Sequence, residues 1–341
     1  MTAHDLEATA NAMVAKGKGI LAADESTGTI QKRLAGIDVE STEENRRAYR
    51  ELLFTTKGAG EYISGVILFD ETIRQGAKDG TPFVKCLEAE GIVPGIKVDK
   101  GAKALAGAPG EKVTEGLDGL RELLSEYVDL GARFTKWRAV ITIGHRIPSR
   151  ACTEANAHAL ARFAALSQEA GLVPIVEPEV LMDGDHDIKR CRNVTEATLN
   201  AVFHQLFEQG IMLEGMVLKP NMVVSGKDCS TQASAEEVAE ITIRTLLRTV
   251  PAAVPGIVFL SGGQSEKEAT VHLNAMNAIG PQPWELSFSY GRALQQSPLK
   301  AWGGDPANVA TAQAAFLHRA RMNGAARSGA YRPEMETELA A

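Results

Sequence analysis

Eight short apolar runs, each followed by a polar loop and a helix-like stretch, recur along the chain, and no Pro-, Gly- or Ser-rich linker interrupts the series. They are GILAAD (19 to 24), GVILF (65 to 69), GIKVD (95 to 99), FTKWRAV (134 to 140), LVPIVEPEV (172 to 180), GMVLKP (215 to 220), GIVFLSG (256 to 262) and WELSFSYG (284 to 291). Intervening segments such as GLDGLRELLSEYVDLG and TEATLNAVFHQLFEQG repeat apolar positions at helical spacing and end on Gly. Ser265 and Glu268 make a capping-box pattern that opens the helix after the seventh run. Strands alternating with helices imply a parallel sheet, and eight such units fit an α/β fold of the (β/α)8 TIM barrel type better than an open doubly wound sheet. The 341 residues are expected to form one barrel domain, with a helical extension over 1–18 and a mobile tail over 324–341. No GxGxxG follows the first run, which argues against a dinucleotide-binding sheet. Pro174 and Pro178 remove ladder donors, so a short or irregular fifth strand is expected.

The net charge of −7 argues against the broad positive field of a nucleic-acid binder, so any anion site must be local. The first residues, MTAHDLEATANAMVAKGKG, carry acids early and lack an apolar h-region, and no run approaches a membrane span. Cys86, Cys152, Cys191 and Cys229 stand apart, without CxxC or zinc-ligand spacing. They are read as reduced thiols of a cytoplasmic protein.

In such a barrel the site lies at the C-terminal ends of the strands, so polar residues there take a functional reading first. Lys97 with Asp99, Lys136 with Arg138, and Glu177 with Glu179 are spaced two apart, and strand periodicity sends both members of each pair to one face. Lys219 ends an apolar run. Taken alone it reads as a strand-end lysine paired to a carboxylate. Lys136 and Lys97 nearby and partial desolvation would lower its pKa, leaving a neutral amine able to form a Schiff base with a ketone. Glu177 and Glu179 read equally as partners of Lys136 and Arg138 in an ion-pair net or as the acid that imine formation needs. Asp24 is either a helix N-cap for the segment beginning near Thr29 or a group that takes a hydroxyl proton. SGGQSEKE (261 to 268) reads as a phosphate loop, with Ser261, Gly262 and the following helix's positive end. SYGR adds Ser289, Gly291 and Arg292. ESTGTIQKR (25 to 33) offers a weaker second set, Ser26, Thr29, Lys32 and Arg33, and two phosphate sites at one mouth suit a bisphosphate. DGDHD (183 to 187) is read as a solvated turn rather than a metal loop.

The motifs GILAADESTGTIQKRL, GIKVDKG, KWRAV, GLVPIVEPE, LKPNMV, TVPAAVPGIVFLSGGQSEKEA and LSFSYGRALQ resemble those of class I, Schiff-base-forming fructose-bisphosphate aldolases, from about residue 17 to about 323. The resemblance implies a metal-independent, cofactor-free enzyme of glycolysis and gluconeogenesis, commonly a homotetramer. It would cleave fructose 1,6-bisphosphate reversibly to dihydroxyacetone phosphate and glyceraldehyde 3-phosphate. By the same resemblance Lys219 carries the imine and Glu177 its proton transfers. Glu179 and Lys136 support them, and Asp24 works at the C4 hydroxyl. Ser261, Gly262 and Arg292 would take the phosphate nearer the ketone. Ser26, Thr29 and Lys97, with Arg33 and Arg138 nearby, would take the other. Animal members end on a tyrosine that assists proton exchange on the enamine, whereas this chain ends ELAA. Three rival functions share the barrel: a metal-dependent aldolase or hydrolase, a non-catalytic sugar-phosphate-binding or scaffold protein, and a transaldolase-like enzyme.

Overall fold

A computed structural model describes residues 3–337. The barrel strands are β1 (Gly19–Ala22), β2 (Ile63–Leu68), β3 (Val93–Lys97), β6 (Phe134–Ile141), β7 (Val173–Val180), β8 (Val217–Leu218), β9 (Gly256–Phe259) and β10 (Glu285–Tyr290). They close in the order β1-β10-β9-β8-β7-β6-β3-β2, and every neighbouring pair is parallel. This is the (β/α)8 barrel that the alternation predicts. One element escaped the sequence reading, a two-stranded antiparallel hairpin of β4 (Ala102–Ala104) and β5 (Lys112–Thr114) inserted between β3 and β6. Its strands are three residues long and largely exposed, so they carry no usable alternation.

The fifth barrel strand corrects an expectation. Despite Pro174 and Pro178, β7 runs eight residues in unbroken register with β6. Val173 N and Leu181 N donate to β6-side carbonyls, so odd-numbered amides face β6 and even-numbered ones face β8. The two prolines therefore lack donors on the β8 side, where the partner strand is only two residues long. Val180 N, also on that side, donates to the Asn221 side chain at 3.1 Å. The sixth barrel strand is correspondingly shorter than GMVLKP, because Leu213–Gly215 turns as a 3-10 helix and Pro220 leaves the ladder.

Inside the barrel, the side chains change character along each strand. Phe134, Val173, Ile175 and Val217 fill the interior near the strand starts, together with Ile20, Ile67 and Val258. Two or four residues later the same inward faces carry Lys136 and Arg138, Glu177 and Glu179, and Lys219. The helix Ala3–Met13 closes the base, packing Leu6, Ala10 and Met13 into that inner cluster. Outward residues such as Leu68, Trp137, Val176, Leu218 and Phe259 meet the surrounding helices. Close packing makes Gly95 obligatory: a Cβ there would stand 2.2 to 2.4 Å from the Phe134 ring. Gly95→Ala should therefore destabilise by about 1–3 kcal/mol, read as a lower denaturant midpoint with unchanged slope.

The segment expected to be a tail from 324 begins inside the helix Val309–Ala326. Beyond it, Arg327 donates to the carbonyls of Ala15 and Leu286, and Tyr331 N donates to Asn274 Oδ1 at 2.9 Å. Glu336 accepts from Arg319 at 2.6 and 2.7 Å and from the Tyr331 hydroxyl at 3.1 Å. The chain is thus tied to the barrel's helices as far as Glu336; residues 338–341 lie outside the described residues.

Candidate active site

A cavity of about 560 Å³ opens at the C-terminal ends of the strands. Lys219, Glu177, Asp24, Lys136 and Glu179 line it, as do Ser26, Thr29, Arg33, Lys97, Arg138, Ser261, Gly262, Ser289, Gly291 and Arg292. Asp99, paired with Lys97 by spacing but given no role from sequence, shares the wall, as do Glu25, Val140 and Leu260, which were not singled out. Asp99 carried a signal, since it sits two residues after Lys97. Glu25 carried none, because what makes it part of the site is its contacts with Arg50 and Gln295, distant in sequence.

At the floor, four charged groups from different strands meet. Lys136 Nζ lies 2.8 Å from Asp24 Oδ2 and 3.0 Å from Glu177 Oε2. Lys219 Nζ lies 3.3 Å from Glu177 Oε1 and is 3% exposed. The two lysines consequently diverge. Burial works against the charge of both, but at Lys136 the Asp24, Glu177 and Asp99 carboxylates outweigh it, and the pKa rises. At Lys219 burial prevails over Glu177, Lys136 adds like-charge repulsion, and the pKa falls. Asp24 is buried too, which alone would raise its pKa, yet Lys136, Lys219 and Lys97 hold it well below the ordinary carboxylate range. Asp24 is no helix cap, for the cap position of the helix Thr27–Ala35 belongs to Ser26.

Around this floor stand cations and open donors. Arg138 pairs with Glu179, and Lys97 Nζ lies 4.0 Å from Asp99 Oδ1 and 5.4 Å from the Phe69 ring centre. Arg292 Nη2 donates to Gly262 O at 2.6 Å, joining the loop after β9 to the turn after β10. Ser289 Oγ is buried without a hydrogen-bond partner among the described residues. Thr42, Ser149, Asp187, Ser234 and Ser265 each cap a helix with a side-chain oxygen. The two helices that start at the cavity, Thr27–Ala35 and Arg292–Trp302, have no such side-chain cap; Thr29 N and Leu294 N donate to Ser26 O and Gly291 O, which leaves the amides ahead of them to meet an anion.

One expectation changes accordingly. The helix after β9, Glu266–Ala278, contributes no residue to the cavity wall, and its first turn carries two glutamates and a Ser265–Glu268 capping box; the helix after β10 starts at the cavity instead. In DGDHD, Asp187 caps the helix Ile188–Glu208 through Arg190 N at 2.7 Å.

A closed parallel barrel with a cavity of buried lysines and carboxylates at its C-terminal face defines a (β/α)8-barrel enzyme. The family model described as fructose-bisphosphate aldolase class-I matches residues 5–341. A probable fructose-bisphosphate aldolase class 1 of Xanthomonas campestris pv. campestris is 63% identical over 333 residues, 97% of this chain and 100% of that protein. The cytosolic fructose-bisphosphate aldolase 6 of Arabidopsis thaliana is 58% identical over 331 residues, 97% of this chain and 92% of that one. A solved fructose-bisphosphate aldolase of Plasmodium falciparum, in a ternary complex with TRAP and a small-molecule inhibitor, superposes with a TM-score of 0.95 at 52% identity, covering 96% of this chain and 95% of that one. The chain belongs to the class I fructose-bisphosphate aldolase family.

Proposed function

We propose that this protein cleaves fructose 1,6-bisphosphate reversibly through an imine on Lys219, in the cytoplasm, in glycolysis and gluconeogenesis, and as a homotetramer. One observation carries the choice of lysine: Lys136 has two carboxylates at 2.8 and 3.0 Å, whereas Lys219 has one at 3.3 Å. Lys136 therefore keeps its proton and Lys219 sheds it more readily. The neutral Lys219 amine attacks the C2 ketone, and Glu177, in contact with Nζ, passes the proton that lets the carbinolamine lose water. The protonated imine withdraws electrons from C3. Asp24, held ionised, takes the C4 hydroxyl proton; the C3–C4 bond breaks, releasing glyceraldehyde 3-phosphate and leaving its electrons in an enamine. Protonation at C3 and hydrolysis return dihydroxyacetone phosphate and the free amine.

Glu179 and Lys136 hold Arg138 and Glu177 in place. The amides at Gly291 and Ser261–Gly262, with Arg292, suit one phosphate; Ser26, Thr29 and Lys97 suit the other, and Arg33, on the helix that carries Thr29, reaches beside Gly291. No helix among the described residues is long and apolar enough to cross a membrane. Borohydride reduction with dihydroxyacetone phosphate, followed by peptide mass mapping, tests the reading. The adduct is expected on Lys219; its appearance on another lysine, or its absence, would refute it.

A further inference from the structure

Behind the cavity wall lies a buried polar cluster that no step above uses. Glu25 follows Asp24 directly, and its side chain is 4% exposed. One carboxylate oxygen takes Arg33 and also Gln295 Nε2 at 2.8 Å; the other takes Arg50, whose side chain is 3% exposed. Gln295 is itself fixed, donating to Ala22 O at 2.7 Å and accepting from Arg50 Nη1 at 3.4 Å. It belongs to the helix Arg292–Trp302, whose first residue lines the cavity. Among the described residues Glu25 is the sole ion-pair partner of Arg33. Arg33 is bonded to it through Nη1, and its Nη2 lies 3.7 Å from where a Cβ on Gly291 would stand.

We infer that Glu25 is a positioning residue for substrate binding: clamped between Arg50 and Gln295, its carboxylate holds Arg33 beside Gly291, with the remaining guanidinium donors turned to a substrate phosphate. Two features support this over simple charge burial. A carboxylate shared by two arginines leaves a net positive cluster, so Arg33 stays attractive to an anion although it is paired. The carboxylate is also anchored from the helix that carries Arg292, so the two arginines are set relative to one another through Glu25 and Gln295. The inference rests on the bisphosphate-cleaving reading above and adds a residue that acts through another.

The test is a double-mutant cycle in the full-length protein, with kcat and KM for fructose 1,6-bisphosphate and borohydride trapping by dihydroxyacetone phosphate measured on each variant. Glu25→Gln should raise KM about tenfold, the loss of one charge-assisted contact, with kcat within about twofold and trapping on Lys219 retained. Arg33→Ala should raise KM by a similar factor. The double variant should be no worse than Arg33→Ala, because the carboxylate acts only through that guanidinium. Glu25→Asp, which keeps the charge but draws it back by a methylene, runs the same cycle without leaving two buried arginines uncompensated. Unchanged KM in the Asp variant, KM effects that add in full, or a loss confined to kcat would overturn the inference while leaving the aldolase reading intact. A parent protein that neither turns over nor is trapped would overturn both.

Discussion

Lys219→Met is expected to abolish covalent trapping and to lower cleavage of fructose 1,6-bisphosphate by on the order of 10⁴-fold or more, since the electron sink is lost outright. The protein should nevertheless stay folded. Lys219 is buried with its pKa held down, so the folded state binds its proton less tightly than the unfolded chain does. A cation disfavoured in this way costs stability at neutral pH, and the cost fades as pH rises past the unfolded value. Methionine fills nearly the same volume without needing a proton, and Glu177 keeps Lys136 at 3.0 Å. Unfolding free energy should consequently lie within about 1 kcal/mol of the parent's. Activity and stability part company at this residue, which separates a missing reagent from a damaged fold. Normal turnover in the folded variant would end the imine mechanism on Lys219. Lys136 offers no substitute, because its own carboxylates keep it charged.

How far the site was legible in the chain follows from where its information sits. Spacing of two along a strand is local, and it was enough to place Lys136 with Arg138 and Glu177 with Glu179 on the inner face. The eight strands were legible for the same reason, as apolar runs punctuated by loops. What spacing does not contain is partnership across the barrel. Nothing in VEPE says that Glu177 bridges Lys136 and Lys219 rather than pairing with Arg138, and nothing in ESTG says that Glu25 turns inward to Arg50 and Gln295. Direction is hidden in the same way. The tolerance of β7 for its prolines depends on which side each amide faces and on how short the neighbouring β8 is on that side. Whether a helix end is open to a ligand likewise depends on its cap: Ser265 closes one with Glu268, whereas Ser26 turns to Thr29 Oγ1 at 3.1 Å and leaves its helix open.

Lys136→Met should do the opposite of the change at Lys219, damaging stability and activity together but with opposite pH dependence. In the parent, Asp24 has a folded pKa depressed below its unfolded value. Such a carboxylate contributes stability that is fully present above the unfolded pKa, near 3.9, and is lost only as pH falls through the folded one. Around neutrality the contribution is intact. Without Lys136, burial of Asp24 is opposed only by Lys219 and Lys97, and Glu177 loses its partner at 3.0 Å. Removing one partner of a buried ion pair typically costs about 3–5 kcal/mol. Asp24, buried with its nearest cation gone, then favours its protonated form, so the variant should regain stability as pH is lowered from about 7 to about 5, where the parent gains nothing from Asp24. Lys219 moves the other way. It loses a like charge and gains a larger share of Glu177, both of which raise its pKa, so less of the amine is free at neutral pH. The rate of borohydride trapping should therefore fall, and its acid limb should shift to higher pH. Urea unfolding and trapping rates, each followed across the same pH series, give the decisive comparison. Stability rising toward acid while reactivity rises toward base would tie both to the single ammonium between Asp24 and Glu177. Parallel changes in the two would mean that the variant is merely loosened, and that Lys136 has no part in setting the state of Lys219.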